Sequence, residues 1–257
     1  MEVNVFNSLK KPLLFKEVET QIKNSINIGF YKPNQKLPSE RELVEQFQVS
    51  RATIREALKN LQNMGMIQIR RGVHAGAYVA EPNSLPITQS FDNLLQAHKV
   101  DLSHLIQARL YIEPSVAAHA ALYRTQKDID ILTALLDDAD HLLDHSIRDA
   151  RLKNINFHVE LSRITKNPII IFLSESITHV YSSIIIGFTG GKVPKKTIHK
   201  FITEHRIILG SITNRDAKGS FLATQKHLLD TYRMYLKVMP DSCDHKVMDQ
   251  IQKFIGG

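Results

Sequence analysis

The 257-residue sequence has a single cysteine, no long apolar run and no glycine-rich phosphate loop. Because Cys243 has no possible partner within the chain, no intrachain disulfide can form, and a reducing cytoplasm fits this composition. No run of about 18 apolar residues occurs, so we do not expect a transmembrane helix. The N-terminal residues carry an acid at position 2 and no apolar segment ahead of a cleavage site, so we do not expect a secretory signal peptide.

Acidic residues are scarce in the first third of the chain. Residues 1–80 contain 12 Lys and Arg, 7 Glu and no Asp, whereas the remaining 177 residues have a net charge of only +2. Histidine is distributed in the opposite way, since 11 of the 12 histidines follow residue 80. This asymmetry indicates two parts, of which the basic one suits a polyanionic partner. We place a first domain at 1–80, a proline-containing linker at 81–86, a second domain at 87–238 and a C-terminal tail at 239–257.

The first domain shows three short helical patterns followed by a β-hairpin pattern. Ser39 and Glu42 have the spacing of a capping box, and Ser50 is a good N-cap for the third helix. The third helix has an apolar stripe formed by Ile54, Ala57, Leu58 and Leu61. Two β-leaning runs around a glycine, at 66–71 and 73–79, predict a hairpin. Three helices and a two-stranded wing predict a winged helix-turn-helix, whose recognition helix enters the DNA major groove.

Candidate DNA-contacting residues cluster at the start of the third helix and at the wing tip. Arg51 and Arg55 lie one helical turn apart beside the apolar stripe, where guanidinium groups can contact guanine edges or clamp phosphates. Alternatively, these arginines form a solvated face in which Arg55 pairs with a nearby glutamate. The ordered pattern of caps, stripe and wing favours DNA. The candidate set is Arg41, Ser50, Arg51, Thr53, Arg55, Arg71 and Gly72.

The segment PSERELVEQFQVSRATIREAL, from Pro38 to Leu58, resembles the signature of the DNA-binding domain of the GntR superfamily of bacterial transcription regulators. The resemblance continues through the wing to Val79. It implies DNA contacts by every member of the candidate set except Arg71, which stands where the family more usually has His or Gly. A double-stranded DNA operator is therefore the expected partner.

The second domain is dominated by helical periodicity, which predicts an all-α bundle of six or seven helices and makes the whole protein mostly α. His158, His205 and His227 each fall in a predicted helix, and Asn154 lies one turn before His158 on the same face. Three imidazoles that converge from three helices can hold a divalent transition metal and leave positions for an anionic ligand. Taken singly, each histidine is more often an ordinary core or surface residue.

Residues from about 86 to 238 resemble the all-helical FCD effector domain of the FadR-like branch of GntR regulators. The resemblance implies a metal site at Asn154, His158, His205 and His227, with Zn²⁺ or Ni²⁺ as the expected ion. Asn154 departs from the aspartate that family members often have, so the site lacks one negative charge and favours a carboxylate ligand. The segment RLYIEP resembles a family Arg-x-x-x-Glu helix, in which Arg109 either clamps an effector carboxylate or pairs with Glu113.

These patterns together predict a cytoplasmic, ligand-responsive regulator, with repression as the commoner mode in this family. Two half-sites give useful specificity where one recognition helix does not, so we expect a homodimer on an inverted repeat that responds to a small organic acid. One alternative keeps DNA binding but gives the helical domain a metal-independent, apolar or acyl ligand. A remote alternative is a metal-dependent hydrolase, which lacks an obvious general base and any nucleophile motif. We therefore do not expect an enzyme.

Overall fold

A computed structural model describes residues 14–189, 193–238 and 245–256. The chain divides at Pro86 into two compact units. The predicted mostly α fold class, with a winged helix-turn-helix followed by a helical bundle, is confirmed. The elements are α1 (Leu14–Asn27), α2 (Glu40–Phe47), α3 (Arg51–Asn63), β1 (Ile67–Arg70), β2 (Gly76–Val79), α4 (Leu85–Gln96), α5 (Leu102–Tyr123), α6 (Gln126–Leu142), α7 (Ile147–Arg163), α8 (Pro168–Thr189), α9 (Lys195–Thr213), α10 (Ala217–Val238) and α11 (His245–Gly256).

The N-terminal unit has its core around α3. The four apolar residues of the predicted stripe are all buried, and α1 and α2 both pack against this helix. Strands β1 and β2 pair antiparallel, with Ile67 opposite Val79 and Arg70 opposite Gly76. The buried side chains of Ile67 and Val79 join the same core, so the hairpin is anchored at its base while its tip, residues 71–75, extends into solvent.

Helices α2 and α3 begin where local hydrogen bonds satisfy their first backbone amides. The Ser39 hydroxyl accepts from the Glu42 amide, and the Glu42 carboxylate accepts from the Ser39 amide, which completes the predicted capping box. Gln48 ends α2 in the left-handed conformation, with φ of 52°. Ser50 then caps α3 through the Thr53 amide, so the two helices are joined by a tight turn.

The C-terminal unit is a bundle in which α5 lies centrally. Helix α5 is buried on most of its circumference and packs extensively against α10, and it also contacts α7, α8, α9 and α11. Helix α7 packs against α6, α8 and α9, and α9 packs against α10. Helices α7, α9 and α10 therefore surround a common interior, and side chains on their inner faces meet there.

Helix α8 is unusually apolar. Its stretch Pro168–Gly187 is long and apolar enough to cross a membrane by length and composition, and 44% of that window is buried within the protein. Ile177, Val180 and Ile184 belong to the core cluster shared with α5 and α10. A single helix of this kind is weak evidence for a membrane span, because apolar core helices have the same length and composition.

The segment predicted as a C-terminal tail contains helix α11. Val247 and Ile251 are buried in the same cluster as residues of α5, so this helix contributes to the core of the C-terminal unit. Cys243 lies outside the described residues.

The capping box of α2 gives a stability prediction. Replacing Ser39 with Ala removes a side-chain acceptor from the first turn and is expected to cost about 1 kcal/mol, whereas Ser39→Asp keeps an acceptor and should cost much less. Hydrogen exchange of the α2 amides, followed by mass spectrometry, measures this directly, with roughly fivefold faster exchange expected for the alanine variant. Equal exchange in both variants and the unaltered protein would contradict the capping role.

Candidate functional site

The start of α3 presents a polar and basic surface. Arg51 and Arg55 are both exposed, while Ile54 between them is fully buried. The Ser50 hydroxyl accepts from the Thr53 amide at 3.1 Å and lies 2.8 Å from the Thr53 hydroxyl. The two hydroxyl groups are therefore held together at the N-terminus of α3, where backbone amides favour an anion.

Two of the candidate arginines are held by glutamates of α2. The Arg55 Nε donates to Glu40 Oε2 at 2.9 Å across the α2–α3 contact, and the Arg41 Nε donates to Glu45 Oε1 at 3.1 Å within α2. The pairing of Arg55 that we kept as an alternative is thus present. Exposed pairs of this kind add little stability, and their main effect is to restrict where the guanidinium points.

The wing tip carries Arg71 and Gly72, both exposed. Gly72 has φ of +88°, a conformation that costs little only for glycine, so the chain reverses here without a side chain. Arg70, which the candidate set omitted, lies 4.1 Å over the ring of Tyr78 and donates to Asn34 Oδ1 at 3.2 Å. The sequence pattern does not predict this stacking of Arg70 on Tyr78, because it depends on how the two strands pair.

The three predicted histidines meet in the interior of the C-terminal unit. His158 comes from α7, His205 from α9 and His227 from α10, and each is at most 4% exposed. The Nε2 atom of His205 lies 3.0 Å from that of His158 and 2.9 Å from that of His227. Among the described residues, these three form the group whose ligand atoms are close enough to hold one metal ion.

The opposite nitrogen of each imidazole faces an acceptor. His205 Nδ1 lies 2.8 Å from Asn154 Oδ1, and His227 Nδ1 lies 2.7 Å from Glu204 Oε2. His158 Nδ1 lies 2.8 Å from Glu113 Oε2, a close electrostatic contact that is off the line of a good hydrogen bond. Asn154, which we expected to be a ligand, therefore contacts the outer side of His205.

These partners decide which nitrogen carries the proton. Carboxylate and amide oxygens accept hydrogen bonds, so each Nδ1 is the protonated nitrogen and each Nε2 keeps its lone pair. The lone pair of His205 lies about 3 Å from those of His158 and His227, and such lone pairs repel one another unless a cation lies among them. Imidazole nitrogens whose other side is held by a carboxylate or amide are the usual arrangement around transition metals, so the donor set fits a divalent ion.

Burial keeps the imidazoles of His158 and His205 neutral. Desolvation lowers the pKa of His158 to about 4, with the Arg109 charge acting in the same direction and Glu113 opposing both. Desolvation and the neighbouring histidines lower the pKa of His205 well below its ordinary value. Protons therefore compete weakly for these nitrogens at neutral pH, which leaves them available to a metal.

Arg109 and Glu113 form a buried ion pair one turn apart on α5. Arg109 Nε and Nη2 donate to the two carboxylate oxygens at 2.6 and 3.3 Å, and the guanidinium lies 4.5 Å over the ring of Tyr181. Burial raises the pKa of Glu113, but Arg109 and His158 lower it more, to about 2. Of the two roles considered for Arg109, its pairing with Glu113 is the one formed in this structure.

A cavity of about 20 Å³ adjoins the histidines. Its volume suits one water molecule or one ion, so an organic ligand needs more room than the side chains leave in this arrangement. The cavity is lined by Arg109, Arg151, Asn154, Ile155, His158, Tyr181, Ile198, Phe201, His205, His227, Thr231 and Tyr235.

Several of these residues were missed in the sequence. Arg151 precedes Asn154 by three positions and His158 by seven, and Thr231 and Tyr235 follow His227 by four and eight. Residues three or four positions apart lie on the same face of a helix, so extending this spacing from His158 and His227 identifies all three residues. Glu204 could not be found in that way, because it lies beside His205 on α9 but holds His227 of α10.

Comparison with known proteins agrees with both units. Residues 14–79 match the family model "Bacterial regulatory proteins, gntR family", and residues 104–230 match the FCD domain model. The chain is 31% identical to the Uxu operon regulator of Haemophilus influenzae over 80% of this chain and 76% of that protein. It is 29% identical to the HTH-type transcriptional repressor NanR of Salmonella arizonae, over 86% of this chain and 83% of that one. The chain belongs to the GntR family.

The fold agrees with the solved structure of another GntR protein. Streptococcus agalactiae GntR superposes with a TM-score of 0.63 at 22% identity, over 86% of this chain and 99% of that one. This GntR-family chain is accordingly a DNA-binding transcription regulator with an FCD effector-binding domain, and its relatives are regulators, not enzymes.

The lowered pKa values predict an acid-sensitive fold for metal-free protein. His158 and His205 bind protons near their ordinary pKa of 6.5 when the chain is unfolded, but they resist protonation when it is folded. The unfolded state therefore holds more protons than the folded state below pH 6.5. The free energy of unfolding should therefore fall as pH drops from 6.5 to about 4. Denaturant titrations of chelator-treated protein at several pH values measure this slope.

His158→Gln should make the free energy of unfolding less dependent on pH, because it removes one of the two imidazoles whose pKa is lowered by folding. His199→Gln, an exposed position on α9, is the matched control and should keep the slope of the unaltered protein. A slope unchanged by His158→Gln would show that this ring does not carry the pH dependence.

Proposed function

We propose that this chain is a cytoplasmic, homodimeric repressor that binds an inverted-repeat operator and responds to a small organic acid held at a divalent metal site. The observation that carries the effector half of this proposal is the convergence of three buried Nε2 atoms, each from a differently held imidazole. The operator half rests on family membership and on the exposed cations at the start of α3. One relative is named as a repressor, which supports that mode of action.

On the DNA side, we assign base contacts to Arg51 and Arg55 and phosphate contacts to Arg41 and the wing tip at Arg71 and Gly72. The contact to Glu40 occupies only the Nε of Arg55, and its two terminal nitrogens suit the paired acceptors of guanine. The hydroxyls of Ser50 and Thr53 lie at a helix N-terminus, a position that suits a phosphate. A homodimer doubles these contacts, which supports an operator of two related half-sites.

On the effector side, we assign the metal to His158, His205 and His227. A bound divalent ion, Zn²⁺ or Ni²⁺, would supply a Lewis acid with open positions for a carboxylate. Asn154, Glu113 and Glu204 hold the outer sides of the rings and keep their tautomers fixed. Because Asn154 is neutral, the pocket is more positive than it would be with an aspartate there, and this favours an anionic effector. Arg109 lines the same cavity and adds to its positive potential.

The small cavity links binding to a change of shape. An organic acid exceeds about 20 Å³, so the liganded state separates inner faces that are packed together without ligand. A ligand that binds only the opened arrangement shifts the population towards it, which is the requirement for control of DNA affinity.

The recognition assignment predicts that Arg51→Ala and Arg55→Ala each weaken operator binding by about 1–3 kcal/mol and relax base preference at one position. An operator selected from a random-sequence DNA library serves as the probe, with affinities measured at fixed salt. Lys23→Ala, an exposed cation on α1, is the charge-matched control and should change affinity much less. Unchanged selectivity in both arginine variants would contradict base contacts by α3.

The metal assignment predicts about one transition-metal ion per chain in protein purified without chelator. Asn154→Asp adds a negative charge behind His205 and should tighten metal binding, and Asn154→Ala should weaken it by about 10- to 100-fold. Elemental analysis and a competitive chelator titration measure both effects. Metal content near zero that added Zn²⁺ or Ni²⁺ does not change would favour a metal-independent ligand instead.

A further inference from the structure

The linker at 81–86 is attached to the end of α3 through one side chain. Asn83 Nδ2 donates to the Gly65 carbonyl oxygen at 3.2 Å and to the Glu81 carbonyl oxygen at 2.9 Å. Asn83 Oδ1 accepts from the Leu85 amide at 3.1 Å, and Leu85 is the first residue of α4. One side-chain amide therefore joins the turn that ends α3 to the residue where α4 begins.

The turn that receives Asn83 is a well-defined helix end. Gly65 has φ of +69°, and its amide donates to the Gln62 carbonyl oxygen. The Met66 amide donates to the Leu61 carbonyl oxygen. These two bonds form a Schellman motif, which ends a helix on a residue in the left-handed conformation, usually glycine. The Gly65 carbonyl oxygen takes no part in the motif and accepts from the linker instead.

The linker also approaches this glycine closely. A Cβ atom added to Gly65 would lie 3.0 Å from Asn83 Oδ1 and 3.3 Å from the ring of Pro86. Both separations are shorter than an ordinary van der Waals contact, so a side chain at position 65 would push the linker away. Glycine is therefore suited to this position by its backbone conformation and by the close approach of the linker.

A second attachment holds the start of the linker to the hairpin. The Ala80 amide donates to the Met66 carbonyl oxygen at 2.9 Å, just beyond the paired strands. Glu81 Oε1 accepts from Asn34 Nδ2 at 3.0 Å, and Asn34 Oδ1 accepts from Arg70. Each such exposed bond is modest, but all of them act on one short segment. The linker is thus fixed to the N-terminal unit along most of its length.

We propose that Asn83 is a positioning residue that sets the spacing between the two half-sites of the operator. In a homodimer, the distance and angle between the two α3 helices depend on the path of the chain that leaves each of them. Asn83 fixes the first part of that path, because it holds the start of α4 to the end of α3. This inference rests on the proposed homodimer, with its two copies joined outside their N-terminal units.

The geometry of DNA makes this spacing measurable. One inserted base pair moves a half-site by about 3.4 Å along the duplex and turns it by about 35° around the axis. A protein whose linker follows a fixed path therefore tolerates one spacing, whereas a protein with a released linker tolerates several. Binding to a single half-site does not depend on this path.

The test uses the full chain and the operator selected from a random-sequence library, with one base pair inserted or deleted at its centre. Each change should weaken binding of the unaltered protein about tenfold or more at fixed salt, and binding of Asn83→Ala about threefold or less. Both proteins should bind a fragment that carries one half-site with equal affinity, since Asn83 lies outside the assigned DNA contacts. The half-site measurement therefore separates release of the linker from damage to the DNA-binding surface.

Two further variants separate the individual contacts. Asn83→Asp keeps an acceptor for the Leu85 amide but has no donor for the Gly65 carbonyl, so it should lose the spacing preference as Asn83→Ala does. Gly65→Ala pushes the linker away and should have the same effect. Its matched control is Gly29→Ala, where φ is +77° and no atom of the described residues lies within 4 Å of the added Cβ. This control has similar backbone strain and should keep the spacing preference.

The outcomes separate this inference from the proposed function. If Asn83→Ala keeps the spacing preference, the role of Asn83 is refuted and the operator of two half-sites stands. If Gly29→Ala loses the preference as Gly65→Ala does, the inference is also refuted, because the loss then follows from strain in the unit. If the unaltered protein shows no spacing preference, the operator of two half-sites and the role of Asn83 are refuted together.

Discussion

Three imidazoles point the same nitrogen into one small space because a different acceptor holds the far side of each ring. These acceptors are Glu113 on α5, Asn154 on α7 and Glu204 on α9. The arrangement therefore involves four helices, because His205 lies on α9 and His227 lies on α10. Polar groups buried in this way are stable only when their partners are complete. The packing of α5, α7, α9 and α10 is therefore tied to the state of this site.

The charge of Glu113 is shared between two neighbours. Arg109 donates to both of its oxygens and His158 lies beside one of them, and all three side chains are buried. Removing one member of such a group leaves an uncompensated buried charge, which typically costs about 3–5 kcal/mol. This cost explains why Arg109 is occupied with Glu113 even though it lines the cavity. Because Glu113 occupies its guanidinium, Arg109 is not free to clamp a ligand in this arrangement.

Sequence reasoning was sufficient where one helical period decides the outcome. The stripe of Ile54, Leu58 and Leu61 predicted both the core of the first unit and the exposed face of α3. Helical placement together with family resemblance predicts the three histidines, and they converge in the structure. Contacts between helices were beyond this reasoning: Glu204 holds a histidine of the next helix, and Asn154 faces Nδ1 of His205 instead of the converging nitrogens. Such contacts depend on how helices cross, which periodicity within one helix does not encode.

The same packing that brings the imidazoles together leaves almost no room for a ligand, and this is what suits the pocket to regulation. A preformed pocket of full size would bind its ligand without any change in the helices, and such binding cannot alter a distant equilibrium. In the proposed mode of binding, entry of an acid separates helices that already share hydrogen bonds. His205 on α9 bonds to Asn154 on α7, and His227 on α10 bonds to Glu204 on α9. The free energy of ligand binding is then partly spent on opening, and the affinity is lower than the contacts alone would give. By linkage, any partner that stabilises the closed arrangement weakens binding of the effector by the same factor. DNA binding and effector binding therefore oppose each other whenever the operator-bound form is the closed one.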